Sequence, residues 1–180
     1  EYYRLHSGAR LPREYSESGI DALIGDIINQ ARELSVLRPI VIAAERSFHG
    51  KTTGSVRITG NPAYREAFGL LSGRDVRFVE FNNINELEAV LRESYHTVKF
   101  LERDNGEIRI REEKLLNVAA FILEPVQGEG GIHVATSAYM KGIEALRKKY
   151  GFAWMLDEIQ SGMGRTGRLF SIEHYPCLLY

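Results

Sequence analysis

Two adjacent carboxylates, Asp157 and Glu158, directly follow the short apolar run 153–156. An apolar run of this length favours a buried β-strand over a helix. Open α/β sheets bind their ligands at the carboxyl ends of their strands, so charge at this point is unusual unless something binds it. The alternative is an ordinary strand-to-loop boundary, where Asp and Gly are common.

Two more apolar runs, 40–44 and 118–123, also end in polar loops that contain glycine. Continuous apolar runs are typical of strands buried on both faces, and helical patterns separate them along the chain. We therefore predict an α/β fold with a mostly parallel central sheet and flanking helices. In such a sheet the loops after Ala44, Leu123 and Leu156 converge on one edge and form one site.

Helical periodicity places helices between these strands. Ser18 is a candidate cap with Asp21 in the capping-box position, and the helix that follows is expected to face a core to about Leu37. Its start offers unpaired N–H groups and a positive dipole end, which suits a phosphate, although a plain helix cap is the alternative. The clearest helix is 137–150, which Gly151 ends.

Residues 92–117 are densely charged and contain Asp104-Asn105-Gly106, a hairpin signature. We expect a solvent-exposed hairpin insertion in a partial domain that spans 1–180. The two ends of the chain carry neither a cap nor a stop signal, so we also expect a fragment of a longer protein.

The composition is that of a soluble globular protein, with 44% apolar residues, 26% charged residues and a net charge of −1. This balance gives no reason to expect nucleic acid or an acidic membrane surface as a partner. No apolar run approaches the length of a membrane span. A single cysteine, Cys177, excludes an internal disulfide framework and fits a reducing compartment, so we expect a cytoplasmic protein.

The glycines of 162–167 match the G-x-G-x-x-G pattern of dinucleotide-binding proteins. Polar-leaning residues separate the pattern from the preceding strand, and no clear amphipathic helix opens on it, so the context disfavours a dinucleotide site. The five histidines are scattered without metal-ligand spacing, and no G-x-S-x-G elbow is present. We predict no metal site.

Three stretches taken together resemble the motifs of class III pyridoxal-phosphate aminotransferases: 48–52, 124–131 and 156–167. That group includes acetylornithine, ornithine, putrescine and other ω-amino acid transaminases. The resemblance runs in order and spacing from about Ser18 to about Tyr175. It implies that the chain is part of the large domain of a fold type I pyridoxal-phosphate transferase.

The resemblance assigns catalytic roles to Asp157 and Gln160. Asp157 would pair with the protonated pyridine nitrogen of pyridoxal 5'-phosphate, so that the ring can absorb electrons from the substrate. Gln160 would hydrogen-bond the phenolic oxygen of the ring. Ile159 and Phe48 would cover the two faces of the ring, although core packing is their alternative role.

The remaining cofactor-binding residues implied by the resemblance are Gly19, Ile20, His49 and Glu158. Gly19 and Ile20 would present backbone N–H groups to the phosphate. His49 belongs to the first motif, and Glu158 is expected to support its loop more than to touch the reaction.

The resemblance also implies a substrate-binding group of Lys51, Glu124 and Glu129. Glu129 matches an acid that gates a substrate-binding arginine in ornithine-type enzymes. Lys51 stands where several members carry an arginine for the substrate carboxylate, and a lysine supplies a point charge without the bidentate fork. Some diamine-type members also carry lysine there.

The function implied is transfer of an amino group from an ω-amino acid or diamine-type donor to a keto acid or aldehyde acceptor, in a homodimer. The Schiff-base lysine is expected after the 162–167 loop, and none of the chain's lysines is placed to substitute for it. The chain alone is therefore expected to be inactive. Two alternatives stay open: a non-catalytic scaffold relative without that lysine, and a nicotinamide-dinucleotide-binding dehydrogenase.

Overall fold

The structure is a computed structural model that describes residues 10–69 and 75–175. The chain divides into two compact units. The first contains the described segment up to Arg38 together with Tyr95–Leu116, and the second contains Pro39–Ser94 and the chain from Asn117 onward. The expected assignment of 1–180 to one partial domain stays a prediction.

Helices and strands alternate through most of the chain. The helices are α1 (Gly19–Ser35), α2 (Thr53–Ile58), α3 (Pro62–Glu66), α4 (Ile84–Glu93) and α5 (Ser137–Tyr150). The strands are β1 (Ile40–Ala44), β2 (Val76–Val79), β3 (Tyr95–Asp104), β4 (Glu107–Leu116), β5 (Val118–Leu123), β6 (Val126–Gln127), β7 (His133–Val134) and β8 (Ala153–Leu156). In the described ranges no helix is long and apolar enough to cross a membrane.

A four-stranded sheet in the order β2-β1-β5-β8 forms the centre of the second unit. All of its strand pairs are parallel: Ala43 lies beside both Phe78 and Ile122, and Leu123 lies beside Leu156. Because β1 and β5 are the inner strands, most of their apolar side chains are buried. The predicted α/β class, with a parallel central sheet and flanking helices, is confirmed.

Helix α5 packs against α4 in the second unit. Thr136 caps α5 by accepting a 3.1 Å hydrogen bond from the N–H of Tyr139, and Gly151 ends it with a φ of +81°. A Cβ atom on Gly142 would lie 2.7 Å from the Ile84 side chain. Gly142 therefore leaves room for Ile84 between the two helices, and the predicted helix 137–150 is confirmed.

The first unit contains α1 and the antiparallel hairpin formed by β3 and β4. Asn105 and Gly106 form the tight turn, with φ angles of +49° and +84°, as the hairpin signature predicts. Its buried core consists of Tyr15, Leu23 and Ile108.

The predicted capping box at the start of α1 is wrong. Ser18 has helical backbone angles (φ −81°, ψ −14°), and its side chain makes no capping hydrogen bond. A capping side chain reaches the next N–H groups from an extended backbone, which Ser18 lacks. Helix α1 also ends at Ser35, before the predicted Leu37, because the N–H of Leu37 bonds to the carbonyl of Leu34 in a tighter turn.

Candidate active site

The carboxyl ends of β1, β5 and β8 lie side by side, so the loops that follow them meet at one edge of the sheet. The N–H of Asp157 donates a 2.9 Å hydrogen bond to the carbonyl of Leu123. The pairing of β5 with β8 therefore extends to the first residue of the loop after β8. The convergence predicted from the three apolar runs is therefore present.

Asp157 and His49 form the central contact of this edge. The Nδ1 atom of His49 lies 2.7 Å from Oδ2 of Asp157, and the two side chains are 2% and 19% exposed. The other oxygen, Oδ1, accepts a 3.2 Å hydrogen bond from the N–H of Ile159. The hydrogen bond from His49 lowers the pKa of the Asp157 carboxyl against the opposing effect of burial, and the Ile159 N–H lowers it further. Asp157 is therefore held as a carboxylate.

The tautomer of His49 follows from its partner. A carboxylate can only accept, so the proton of this hydrogen bond belongs to Nδ1. The Nε2 atom is buried and has no hydrogen-bond partner among the described residues. His49 therefore orients the Asp157 carboxylate through Nδ1.

Two buried polar side chains join the loop after β1 to the segment after β5. Oε2 of Glu124 accepts a 3.1 Å hydrogen bond from the N–H of Phe48, and Nε2 of Gln127 donates a 2.8 Å hydrogen bond to the carbonyl of Glu45. Glu124 is 3% exposed, and burial raises the pKa of its carboxyl. Both side chains thus act on the backbone of the neighbouring loop.

The side chain of Gln160 lies directly against Gly128. A Cβ atom on Gly128 would overlap Oε1 and the amide carbon of Gln160. A glycine at position 128 therefore leaves the room that the Gln160 amide occupies. Gln160 itself is exposed at the site edge.

The Glu158 carboxylate is used inside its own loop. Oε2 accepts hydrogen bonds from the N–H and the hydroxyl of Ser171, at 2.6 and 2.9 Å, and Oε1 accepts one from the N–H of Ile172 at 2.9 Å. These bonds fasten the short 3-10 helix Ser171–His174 to the end of β8. Glu158 is therefore placed to support the loop that carries Asp157.

The glycine pattern at 162–167 forms consecutive turns with no helix on it. Gly164 and Gly167 have φ angles of +86° and +87°, which only glycine adopts readily. A dinucleotide site needs a helix that begins on the glycine loop, and this segment lacks it. The described parts of the chain also contain no group of three or more acidic, histidine or cysteine residues that could hold a metal.

Tyr64 is a site residue that sequence reasoning missed. Its ring meets the ring of Phe48 edge-on at 5.3 Å between centroids, and the ammonium of Lys51 lies 5.2 Å from its centroid. Its hydroxyl donates a long hydrogen bond, 3.5 Å, to Oε2 of Glu129. Tyr64 therefore contacts three predicted site residues, which are Phe48, Lys51 and Glu129. No motif marked it, because it contributes through packing on a separate short helix.

The remaining predicted residues are Ile159, Phe48, Gly19 and Ile20. Ile159 is 85% exposed beside Asp157, and Phe48 is half-buried. Gly19 and Ile20 begin α1 in the first unit, where Gly19 has a φ of +80° and Ile20 packs against the Tyr15 core cluster. Their assignment to the phosphate stays a prediction.

Residues 24–178 match the family described as Aminotransferase class-III. An acetylornithine aminotransferase of Caldanaerobacter subterraneus subsp. tengcongensis is 37% identical over 168 residues, which cover 89% of this chain and 36% of that protein. A putrescine aminotransferase of Pectobacterium atrosepticum is 38% identical over 135 residues, covering 74% and 25%.

The fold is also similar to solved transaminases. The ornithine aminotransferase of Toxoplasma gondii ME49 superposes with a TM-score of 0.59 at 25% identity, covering 86% of this chain and 32% of that one. The chain thus spans between a quarter and just over a third of the length of these three relatives.

The chain belongs to the class-III aminotransferase family. Its match with fold type I transaminases agrees with a piece of the large domain, as the three motifs predicted. Class-III aminotransferases are pyridoxal-phosphate enzymes, so the predicted cofactor class is confirmed. Family membership and the turn geometry of 162–167 together remove the support for the dehydrogenase alternative.

Proposed function

We propose that the protein containing this chain is a transaminase that moves an amino group from an ω-amino acid or diamine-type donor to a keto acid or aldehyde acceptor. The observation that carries the proposal is the Asp157–His49 pair at the joint end of three parallel strands. It supplies a fixed negative charge at the point where the family motifs converge.

The donor set fits pyridoxal phosphate. Asp157 has one oxygen bound to His49 and the other to the N–H of Ile159, and a carboxylate retains acceptor capacity beyond these two bonds. The bound cofactor supplies a protonated pyridine ring that takes up electrons during amino-group transfer. Asp157 holds the proton on the ring nitrogen, and His49 keeps that carboxylate oriented and charged.

Six other predicted residues complete the proposed cofactor site. Gln160 donates to the phenolic oxygen of the ring from its position against Gly128. Phe48, backed by Tyr64, and the exposed side chain of Ile159 cover the two ring faces. Glu158 contributes indirectly, since its oxygens hold Ser171 and Ile172. Gly19 and Ile20 bind the phosphate through their backbone N–H groups.

The substrate-binding group divides into two parts. Lys51 and Glu129 are both exposed and both contact Tyr64, so they can bind the carboxylate and the ammonium of an ω-amino acid. A diamine has two cationic ends, and of this pair only Glu129 can bind one of them. Glu124 is buried and accepts a hydrogen bond from the N–H of Phe48, so it affects the substrate indirectly, by setting the position of the Phe48 ring. Lys51 attracts a carboxylate as a point charge.

The reacting lysine lies outside these 180 residues. Four of the six lysines have other neighbours: Lys51 lies on Tyr64, Lys99 near Glu112, Lys148 near Glu144 and Lys149 near Glu88. We therefore propose that the chain alone is inactive. The full-length protein acts in the cytoplasm as a homodimer.

The decisive experiment uses the full-length protein. Purified with pyridoxal phosphate, it should show a visible absorbance band that disappears when the reacting lysine is replaced. A panel of acetylornithine, ornithine, putrescine and other diamines, each with a keto-acid acceptor, then identifies the donor. A full-length protein that binds no cofactor would support the scaffold alternative instead.

A further inference from the structure

His49 is held from its backbone as well as from its ring. Its N–H donates a 3.0 Å hydrogen bond to Oγ1 of Thr59, ten residues further along the chain. Thr59 is completely buried, at 0% exposure, and directly follows helix α2. The side chain that sets the position of His49 thus comes from beyond the motif that contains it.

The Thr59 hydroxyl uses its donor as well as its acceptor. Its oxygen lies 3.1 Å from the carbonyl of Ser55 and 3.2 Å from the carbonyl of Gly50, so its single proton is shared between them. One hydroxyl therefore connects the end of α2 to the N–H of His49 and to the carbonyl of Gly50. A side chain without a hydroxyl would leave the N–H of His49 without this acceptor.

The backbone next to Thr59 is packed against the end of β1. Gly60 donates a 2.7 Å hydrogen bond to the carbonyl of Ser47. A Cβ atom on Gly60 would lie 2.6 Å from the carbonyl oxygen of Ala44 and 2.6 Å from the nitrogen of Arg46. Thr59 therefore lies in a segment with little freedom to move, so its hydroxyl can hold the loop after β1 in a constant position.

We propose that Thr59 is a positioning residue for the Asp157 carboxylate, acting through the backbone and ring of His49. The chain of contacts runs from the Thr59 hydroxyl to the His49 N–H, and from His49 Nδ1 to Asp157 Oδ2. This inference rests on the proposed function, because it concerns how the Asp157 carboxylate is oriented toward the pyridine nitrogen. It adds a residue outside the three family-like motifs.

The test compares Thr59→Val with Thr59→Ser in the full-length protein loaded with pyridoxal phosphate. The valine keeps the shape and removes the hydroxyl, whereas the serine keeps the hydroxyl. Ser55→Ala is the matched control: it removes the capping bonds to Thr52 at the start of α2 but keeps the carbonyl that faces Thr59.

We expect Thr59→Val to lower kcat/KM about tenfold, mostly in kcat, while Thr59→Ser and Ser55→Ala stay within about twofold of wild type. The pH at which the cofactor band changes should move in Thr59→Val alone. Histidine-selective NMR of the cofactor-free protein should show an altered Nδ1 environment for His49 in the same variant.

Three outcomes separate the possibilities. If Thr59→Val and Ser55→Ala lower thermal stability alike and leave the band and the His49 signal unchanged, Thr59 is only structural and the inference fails. If Thr59→Val does not fold, Thr59→Ala takes its place, and a normal His49 signal there also refutes the inference. If the wild-type protein binds no cofactor, the proposed function fails, and the His49 signal still decides whether Thr59 positions the ring.

Discussion

The buried carboxylate of Glu124 accepts a hydrogen bond from the backbone N–H of Phe48, 76 positions earlier in the sequence. Both residues were predicted to face the cofactor or the substrate, yet in the structure Glu124 binds the backbone of Phe48. The acid therefore acts on the site by fixing the loop that presents Phe48 and His49. Its burial also gives it a measurable pH dependence.

Replacing Glu124 with Gln should change how stability depends on pH. Burial raises the pKa of the Glu124 carboxyl above its ordinary value of 4.5. A carboxyl with a raised folded-state pKa contributes to stability below the unfolded value and loses that contribution as pH rises through the folded pKa. Glu124→Gln keeps an acceptor for Phe48 and carries no charge, so its free energy of unfolding relative to wild type should increase as the pH rises above about 4 and level off once the wild-type carboxyl is ionised.

Denaturant unfolding of the full-length protein at several pH values measures this difference. Glu124→Ala is the control, because it leaves the Phe48 N–H unpaired and should be less stable by about 1–3 kcal/mol. Parallel pH profiles for wild type and Glu124→Gln would show that the carboxyl has no raised pKa.

Replacing Asp157 with Asn should remove most of the rate while leaving the cofactor bound. The amide cannot supply the negative charge that holds a proton on the pyridine nitrogen, so kcat should fall by about 100-fold to 1,000-fold. Steady-state kinetics and cofactor content measured on the same preparation check the result. Full activity in Asp157→Asn would contradict the assigned role.

Replacing Gly128 with Ala should disturb Gln160. The new Cβ would overlap the amide at the end of the exposed Gln160 side chain, so that side chain must rotate away and the cofactor spectrum should change. Because a flexible side chain can move, the free energy of unfolding should fall by less than the roughly 1–3 kcal/mol of core overpacking. Gly54→Ala is the matched control: Gly54 lies in α2 with nothing within 4 Å of its Cβ position, so this change should stabilise the helix by roughly 0.5–1 kcal/mol.

A double variant distinguishes a local clash from a general loop defect. Gln160→Ala already removes the overlapping atoms, so adding Gly128→Ala to it should change the cofactor spectrum no further. Additive spectral changes in the double variant would show that the two residues do not meet.

Replacing Glu158 with Ala should affect stability more than chemistry. The change leaves the N–H groups of Ser171 and Ile172 without their carboxylate, which should cost about 2 kcal/mol of unfolding free energy. Thermal unfolding combined with the cofactor spectrum measures both effects. The spectrum should stay closer to wild type than that of Asp157→Asn, and the reverse order would place Glu158 on the cofactor itself.

The strands and the helix at 137–150 follow from local pattern. The runs 40–44 and 118–123 are strands because continuous apolar residues can be buried on both faces only in the middle of a sheet. Helix 137–150 is indicated by its own apolar periodicity and by Gly151, which directly follows it. Such signals depend on neighbours in sequence, so they can be read before the chain folds.

The start of α1 shows where local pattern stops being sufficient. Ser18 and Asp21 have the residue types of a capping box, but the backbone of Ser18 is already helical. Whether a serine caps depends on the direction from which the chain arrives, and residue type does not determine that direction.

The sequence by itself determined the family, the parallel sheet and the identity of the charged residues after each strand. Only the tertiary structure decided their partners: His49 meets Asp157 across 108 positions, and Phe48 meets Glu124 across 76. It also identified Thr59 and Tyr64, which lie outside the three motifs. Hydrogen bonds between distant residues form only after the order of the strands brings their loops to one edge, and that order is a property of the folded chain.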